Sequence, residues 1–150
     1  KALKPAVTVK DGNVTLKKGR DYTVSYSANK GIGTAKVTVT GKGSYTGKIT
    51  KTFKINPQGQ SISAKGDKSG KKIAVTLAKH SSNSGYQVSY ADNSGFKNSK
   101  SLWLSGNSKN KGTIKGLKSK KTYYVKARDY KTIGKTKVYG KWSAVKKVSI

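Results

Sequence analysis

The stretch TIKGLKSKKTYYVKARDY, residues 113–130, decides the fold. In its second half Tyr123, Val125 and Ala127 alternate with Tyr124, Lys126 and Arg128. Side chains of a strand point to opposite faces with a period of two, so this is a strand with one face in a core and one in water. Lys115-Gly116 before it marks a turn.

The same period recurs outward in both directions. Tyr86, Val88 and Tyr90 alternate with Gln87 and Ser89, and Ile73, Val75 and Leu77 with Ala74 and Thr76. Further upstream, Ala35, Val37 and Val39 alternate with Lys36, Thr38 and Thr40, and Tyr22, Val24 and Tyr26 with Thr23 and Ser25. β-branched and aromatic residues fill these runs. Asp11-Gly12-Asn13, Gly41-Lys42-Gly43, Asn83-Ser84-Gly85 and Asn93-Ser94-Gly95 separate them. There is no convincing amphipathic helix. Short strands with regular turns imply an all-β protein made of two tandem antiparallel β-sandwich domains. The boundary is expected at Asn56-Pro57-Gln58-Gly59-Gln60, because proline cannot donate to a ladder and suits a strand end. This gives domains 1–57 and 58–150.

Charge narrows the function. The chain of 150 residues has 33 basic and five acidic side chains, no glutamate and a formal net charge of +28. Arginine stands only at Arg20 and Arg128, so 31 of the basic residues are lysine. Residues 1–57 carry 12 basic and two acidic groups, and residues 58–150 carry 21 and three, so both halves are basic. Cysteine and methionine are absent, which excludes disulfides and thiolate metal sites. No apolar run approaches the roughly 18 residues of a membrane helix, and no membrane insertion is expected. Lys1 is not a native start, so the expectation is a fragment whose sorting signal lies outside it.

The first half, in the phrases DYTVSY, GTAKVTVTGKGSYTG and KTFKI, resembles the immunoglobulin-like repeats of bacterial cell-surface proteins. The second half, in SGYQVSYADNSGFKNSK, TIKGLKSKKTYYVKARDY and YGKWSAVKKVSI, resembles a bacterial fibronectin type III domain. That resemblance implies that Leu117 and Tyr123 are the leucine and tyrosine-corner pair of the penultimate strand. It departs at Leu77, where the family usually has tryptophan, and at Trp103, where it usually has a small or polar residue. It also implies a protein exported to a Gram-positive surface or wall. Such modules serve as spacers, adhesins and hydrolase appendages alike.

Catalysis is not expected, and no catalytic residue, metal ligand or cofactor is assigned. General acid–base work needs histidine or a tuned carboxylate pair. Asp11 and Asp92 fall in turns, Asp21 precedes a strand and Asp129 ends one, the last two pairing with lysines. His80, the one histidine, reads as a solvated loop residue, and one histidine makes no zinc site. KGIGTAK, residues 30–36, lies between strands and lacks the spacing of a phosphate loop. A lysine–asparagine isopeptide bond would need Lys, Asn and an acid buried together.

The lysines are the main signal. On strands and edges they oppose sheet-to-sheet aggregation, but this does not explain the shortage of acids. A polyanionic partner does: an anionic cell-wall polymer or a host glycan. Lysine in place of arginine argues for diffuse contact, and no specific nucleic-acid recognition is expected. Lys109 and Lys120 are candidate contacts in loops. A second candidate is the outward face with Trp103, Gln87, Ser89, Tyr124, Lys126 and Arg128, which suits a sugar ring or a protein partner. On that face the basic stems could equally just cover the rings. The expected function is a non-catalytic surface binding or spacing module. The alternative is the attachment region of a secreted hydrolase whose catalytic domain lies elsewhere.

Overall fold

A computed structural model describes all residues, Lys1–Ile150. The chain is all-β with antiparallel sheets and divides into two compact units, Lys1–Ile55 and Asn56–Ile150.

Unit 1 begins with a two-residue ladder, β1 (Lys10–Asp11) with β2 (Val14–Thr15), closed by Gly12 at φ +53°. A meander follows, β3 (Tyr22–Ser27), β4 (Gly33–Gly41) and β5 (Lys48–Ile55), paired in that order. Its polar face is threonine and lysine, with Thr38 and Thr50 bonded across the strands at 3.1 Å. On the other face Tyr22, Ala35 and Ile55 are buried, while Val24, Tyr26, Val37, Val39 and Phe53 are only half-buried. The sandwich expected here is reduced to this one three-stranded sheet and the short ladder. Residues 1–9 form no strand, and Pro5 among them has no N–H to give a ladder. They are tied down by two isolated backbone bonds, Leu3 N–H to the Asn29 carbonyl and Leu16 N–H to the Val9 carbonyl, and by side chains. The Tyr22 and Tyr26 hydroxyls donate to the Val7 and Pro5 carbonyls, and Asn29 Nδ2 donates to the Leu3 carbonyl at 2.8 Å.

Unit 2 has two sheets. One pairs β10 (Lys111–Ile114), β7 (Lys72–Leu77) and β6 (Ile62–Asp67). The other runs β12 (Thr136–Tyr139), β11 (Thr122–Ile133), β8 (Gly85–Ala91) and β9 (Lys100–Ser105), with β13 (Lys146–Ser149) also on β11. Their inner faces share one core containing Ile73, Val75, Leu77, Tyr86, Val88, Ile114, Val125 and Ala127. Leu77, 3% exposed, fills the place where the resemblance calls for tryptophan. Tyr123 is buried, and its hydroxyl oxygen accepts from the Lys118 N–H at 2.9 Å, with Leu117 buried nearby. The corner implied by the resemblance is therefore present.

Two acids and the histidine sit otherwise than expected. β11 does not end at Asp129 but continues to Ile133, and Asp129 is 1% exposed. It pairs with no lysine: Gln60 Nε2 donates to Oδ1 and His80 Nδ1 lies against Oδ2, each at 2.6 Å. His80 is thus a half-buried partner of Asp129, not a solvated loop residue. Asp21 takes no lysine side chain either: it pairs with arginine, accepting from Arg20 Nε and from the Lys17 N–H, each at 2.7 Å.

A cation and ring face and an exposed lysine field

The register of β11 places Tyr124, Lys126, Arg128 and Tyr130 on the outer face of the larger sheet. Gln87 of β8 stands opposite Arg128 and next to Trp103 of β9. Leu102 and Leu104 pack on the core, which turns Trp103 outward, 42% exposed. The expected neighbours Trp103, Gln87, Lys126 and Arg128 are therefore brought together. Ser89, expected on the same face, is buried.

What fills that face is a row of alternating rings and cations. Lys126 Nζ lies 3.9 Å from the Phe96 ring centre and 4.9 Å from that of Trp142. The Arg128 guanidinium lies 4.2 Å from Trp142 and 3.7 Å from Tyr139. Trp103 meets Tyr130 edge to face at 5.5 Å, and Lys137 reaches over Trp103 at 5.5 Å. Arg128 Nε also donates to Gln87 Oε1 at 2.8 Å. A cation over a ring gains about 0.5–2 kcal/mol, more as water is excluded. Burial pushes the Arg128 guanidinium below its ordinary value, while the Tyr139 hydroxyl acts in the opposite sense.

Phe96, Tyr130, Tyr139, Trp142 and Lys137 are additions to the sequence reading. Tyr130 was accessible to it, since it continues the outward alternation. It tucks in over Gly85, whose φ is +151° and where a Cβ would stand 2.8 Å from the Tyr130 hydroxyl. Tyr124 takes part in none of the ring–cation contacts. Lys109 and Lys120 lie apart from this face, exposed in the turns after β9 and β10.

The Asp129 cluster pairs an acid with a histidine, but both carboxylate oxygens are already engaged inside the unit. Gln60 also clamps Ala78, donating to its carbonyl and accepting its N–H at 2.9 Å. The arrangement fastens the start of unit 2 to β11. The buried polar residues include Asn29, Asn83, Asp21 and Asp129 but no lysine, so no isopeptide triad is assembled.

The lysines, by contrast, are displayed. Every one is exposed except Lys126 and Lys131, which are half-buried. Of the acids, Asp21 and Asp129 are buried, and Asp67 accepts from the Gly70 N–H, from the Ser69 hydroxyl and from Lys72. Those contacts, the Gly70 N–H foremost, hold the Asp67 carboxyl down to about 2.

No family model matches the chain, and no curated protein matches it. Among solved structures it is similar to the crystal structure of chicken CNTN1 FN1-FN3 domains, at 16% identity and a TM-score of 0.53. The match covers 85% of this chain and 55% of that one, so the chain corresponds to about half its length. At such identity the likeness speaks to the fold alone, and the fold is all-β of the immunoglobulin and fibronectin type III kind.

Proposed function

We propose that this chain is a non-catalytic binding and spacing region of an exported bacterial surface protein, built of two β modules in tandem. Its lysine-covered surface rests against an anionic wall polymer or host glycan. The observation that carries this reading is the one-signed surface: 29 of the 31 lysines are exposed, while two of the five acids are buried and a third is tied to its own turn. Solubility alone would be served by mixed charge. The sign imbalance favours a polyanion, whose condensed counterions are released on contact.

Binding of the whole chain to wall teichoic acid, heparin or DNA tests it, measured by titration over a series of salt concentrations. Affinity should fall log-linearly with salt. Lys109→Ala and Lys120→Ala should each change it by less than about threefold, since exposed ionic contacts are individually weak. Absence of binding to every polyanion at low salt would leave the lysines as a solubility device and the chain as a spacer. Binding that ignores salt and is abolished by Trp103→Ala would replace diffuse charge with an aromatic platform.

A further inference from the structure

The two outer faces of unit 2 are built differently. On the β11 side the cations already lie on rings of the same face, with Arg128 over Tyr139 and Trp142 and Lys126 over Phe96. The outer face of β10, β7 and β6 is bare. Ile73, Val75, Leu77, Ile62 and Ile114 point to the core, which leaves Ser63 and Lys65, Ala74 and Thr76, and Lys111 and Thr113 outward.

Register aligns them. Lys65, Ala74 and Thr113 form one row across the three strands, and Ser63, Thr76 and Lys111 the next. Ala74 sits at the middle of the central strand with a single methyl between a long side chain and a hydroxyl. The result is a shallow trough of about 590 Å³, floored by Ala74 and bordered by Lys65, Lys68, Lys72 and Thr113. Lys65 and Lys68 have no ion-pair partner, and Lys72 neutralises Asp67, the one acid at the rim. Lys111 on β10 lies two strand spacings from β6, about 10 Å across the face.

We infer that this trough is a docking site for a linear acidic polysaccharide, with a sugar ring over Ala74 and its carboxylate or sulfate groups against Lys65 and Lys68. The inference rests on the polyanion reading above and gives it a place and a ligand class. A methyl floor and hydroxyl walls complement the C–H face and hydroxyls of a sugar. The trough holds no aromatic ring on which a base could stack and no arginine fork for a phosphate, so nucleic acid is the poorer occupant.

The discriminating variant keeps the charge. Ala74→Tyr fills the floor at an exposed strand position and suits a strand by propensity. Heparin affinity of the full chain, measured by calorimetry near physiological salt, should fall about tenfold, the loss of one docked unit. Lys65→Gln with Lys68→Gln should match it and serves if the tyrosine variant melts early. The charge-matched pair Lys36→Gln with Lys48→Gln in unit 1 should change affinity less than about twofold. If Ala74→Tyr leaves a salt-sensitive affinity untouched, contact is diffuse and the trough is no site, while the polyanion reading stands. If Ala74→Tyr weakens single-stranded DNA or polyphosphate but not heparin, the occupant is a phosphate polymer and the polysaccharide assignment is wrong. If the unaltered chain binds neither these three nor wall teichoic acid at low salt, the trough assignment and the polyanion reading both fall, and the chain is a spacer.

Discussion

Units 1 and 2 use the same alternating pattern and reach different interiors. In unit 2 two sheets close on each other, and Ile73, Val88, Val125 and Ala127 are fully buried. In unit 1 only Leu16, Tyr22, Ala35 and Ile55 are buried among the hydrophobic residues, and Ile49 on β5 is 58% exposed. Alternation makes a strand with an apolar face, but burying that face needs a second layer. Unit 2 supplies one from within. Unit 1 supplies only residues 1–9 and the short β1–β2 ladder, and it compensates with hydrogen bonds from tyrosine and asparagine side chains to backbone carbonyls.

The sharpest way to break this comparison is to truncate one isoleucine in each unit. Ile73→Ala should cost unit 2 about 2–5 kcal/mol, as the buried methylenes are lost and a cavity remains. Ile49→Ala should cost unit 1 less than about 0.5 kcal/mol, the scale of an exposed substitution. Equal losses in urea unfolding would mean that unit 1 buries Ile49 after all. The next effect is polar. Tyr123→Phe should cost about 1 kcal/mol, because the Lys118 N–H loses its acceptor at a partly buried corner; thermal unfolding of the variant reads it. The smallest effect is acid sensitivity, and both units share it. Asp21 is lowered by its bond from Arg20 and by the Lys17 N–H, and Asp67 is held at about 2. A carboxyl lowered on folding stabilises the native state above its unfolded value and loses that contribution as pH falls through the folded value. Stability should therefore be flat from neutrality to about pH 4 and decline toward about pH 2. Removing the anchor by Asp67→Asn should flatten the decline in unit 2.

Most of the strands were legible because period two survives wherever one face is buried. β12 was not, since none of its four residues is buried: Thr136 and Lys137 are exposed, and Val138 and Tyr139 are only half-buried. The inward place of Asp129 was written in the alternation: it follows Tyr123, Val125 and Ala127 at the same parity. Ending the strand at that residue hid it. Its partners Gln60 and His80 stand 69 and 49 residues away along the chain, a pairing that no local pattern carries. The outer face was half legible for a similar reason. Trp103 and Arg128 follow from strand parity, whereas Phe96 and Trp142 arrive from loops, Phe96 at φ +56°.

The Gln60 clamp bears on how the second unit would resist pulling. β6 pairs only with β7, so a force applied along the chain at Pro57 would meet an edge strand, which unzips one hydrogen bond after another. Gln60 intercepts that force two residues before β6 begins. Its side chain holds Ala78 and Asp129 together, and Asp129 belongs to the twelve-residue strand β11, flanked on both sides by partners. Load is thereby passed to the best-anchored strand of the sheet, and peeling must first break a buried carboxylate contact.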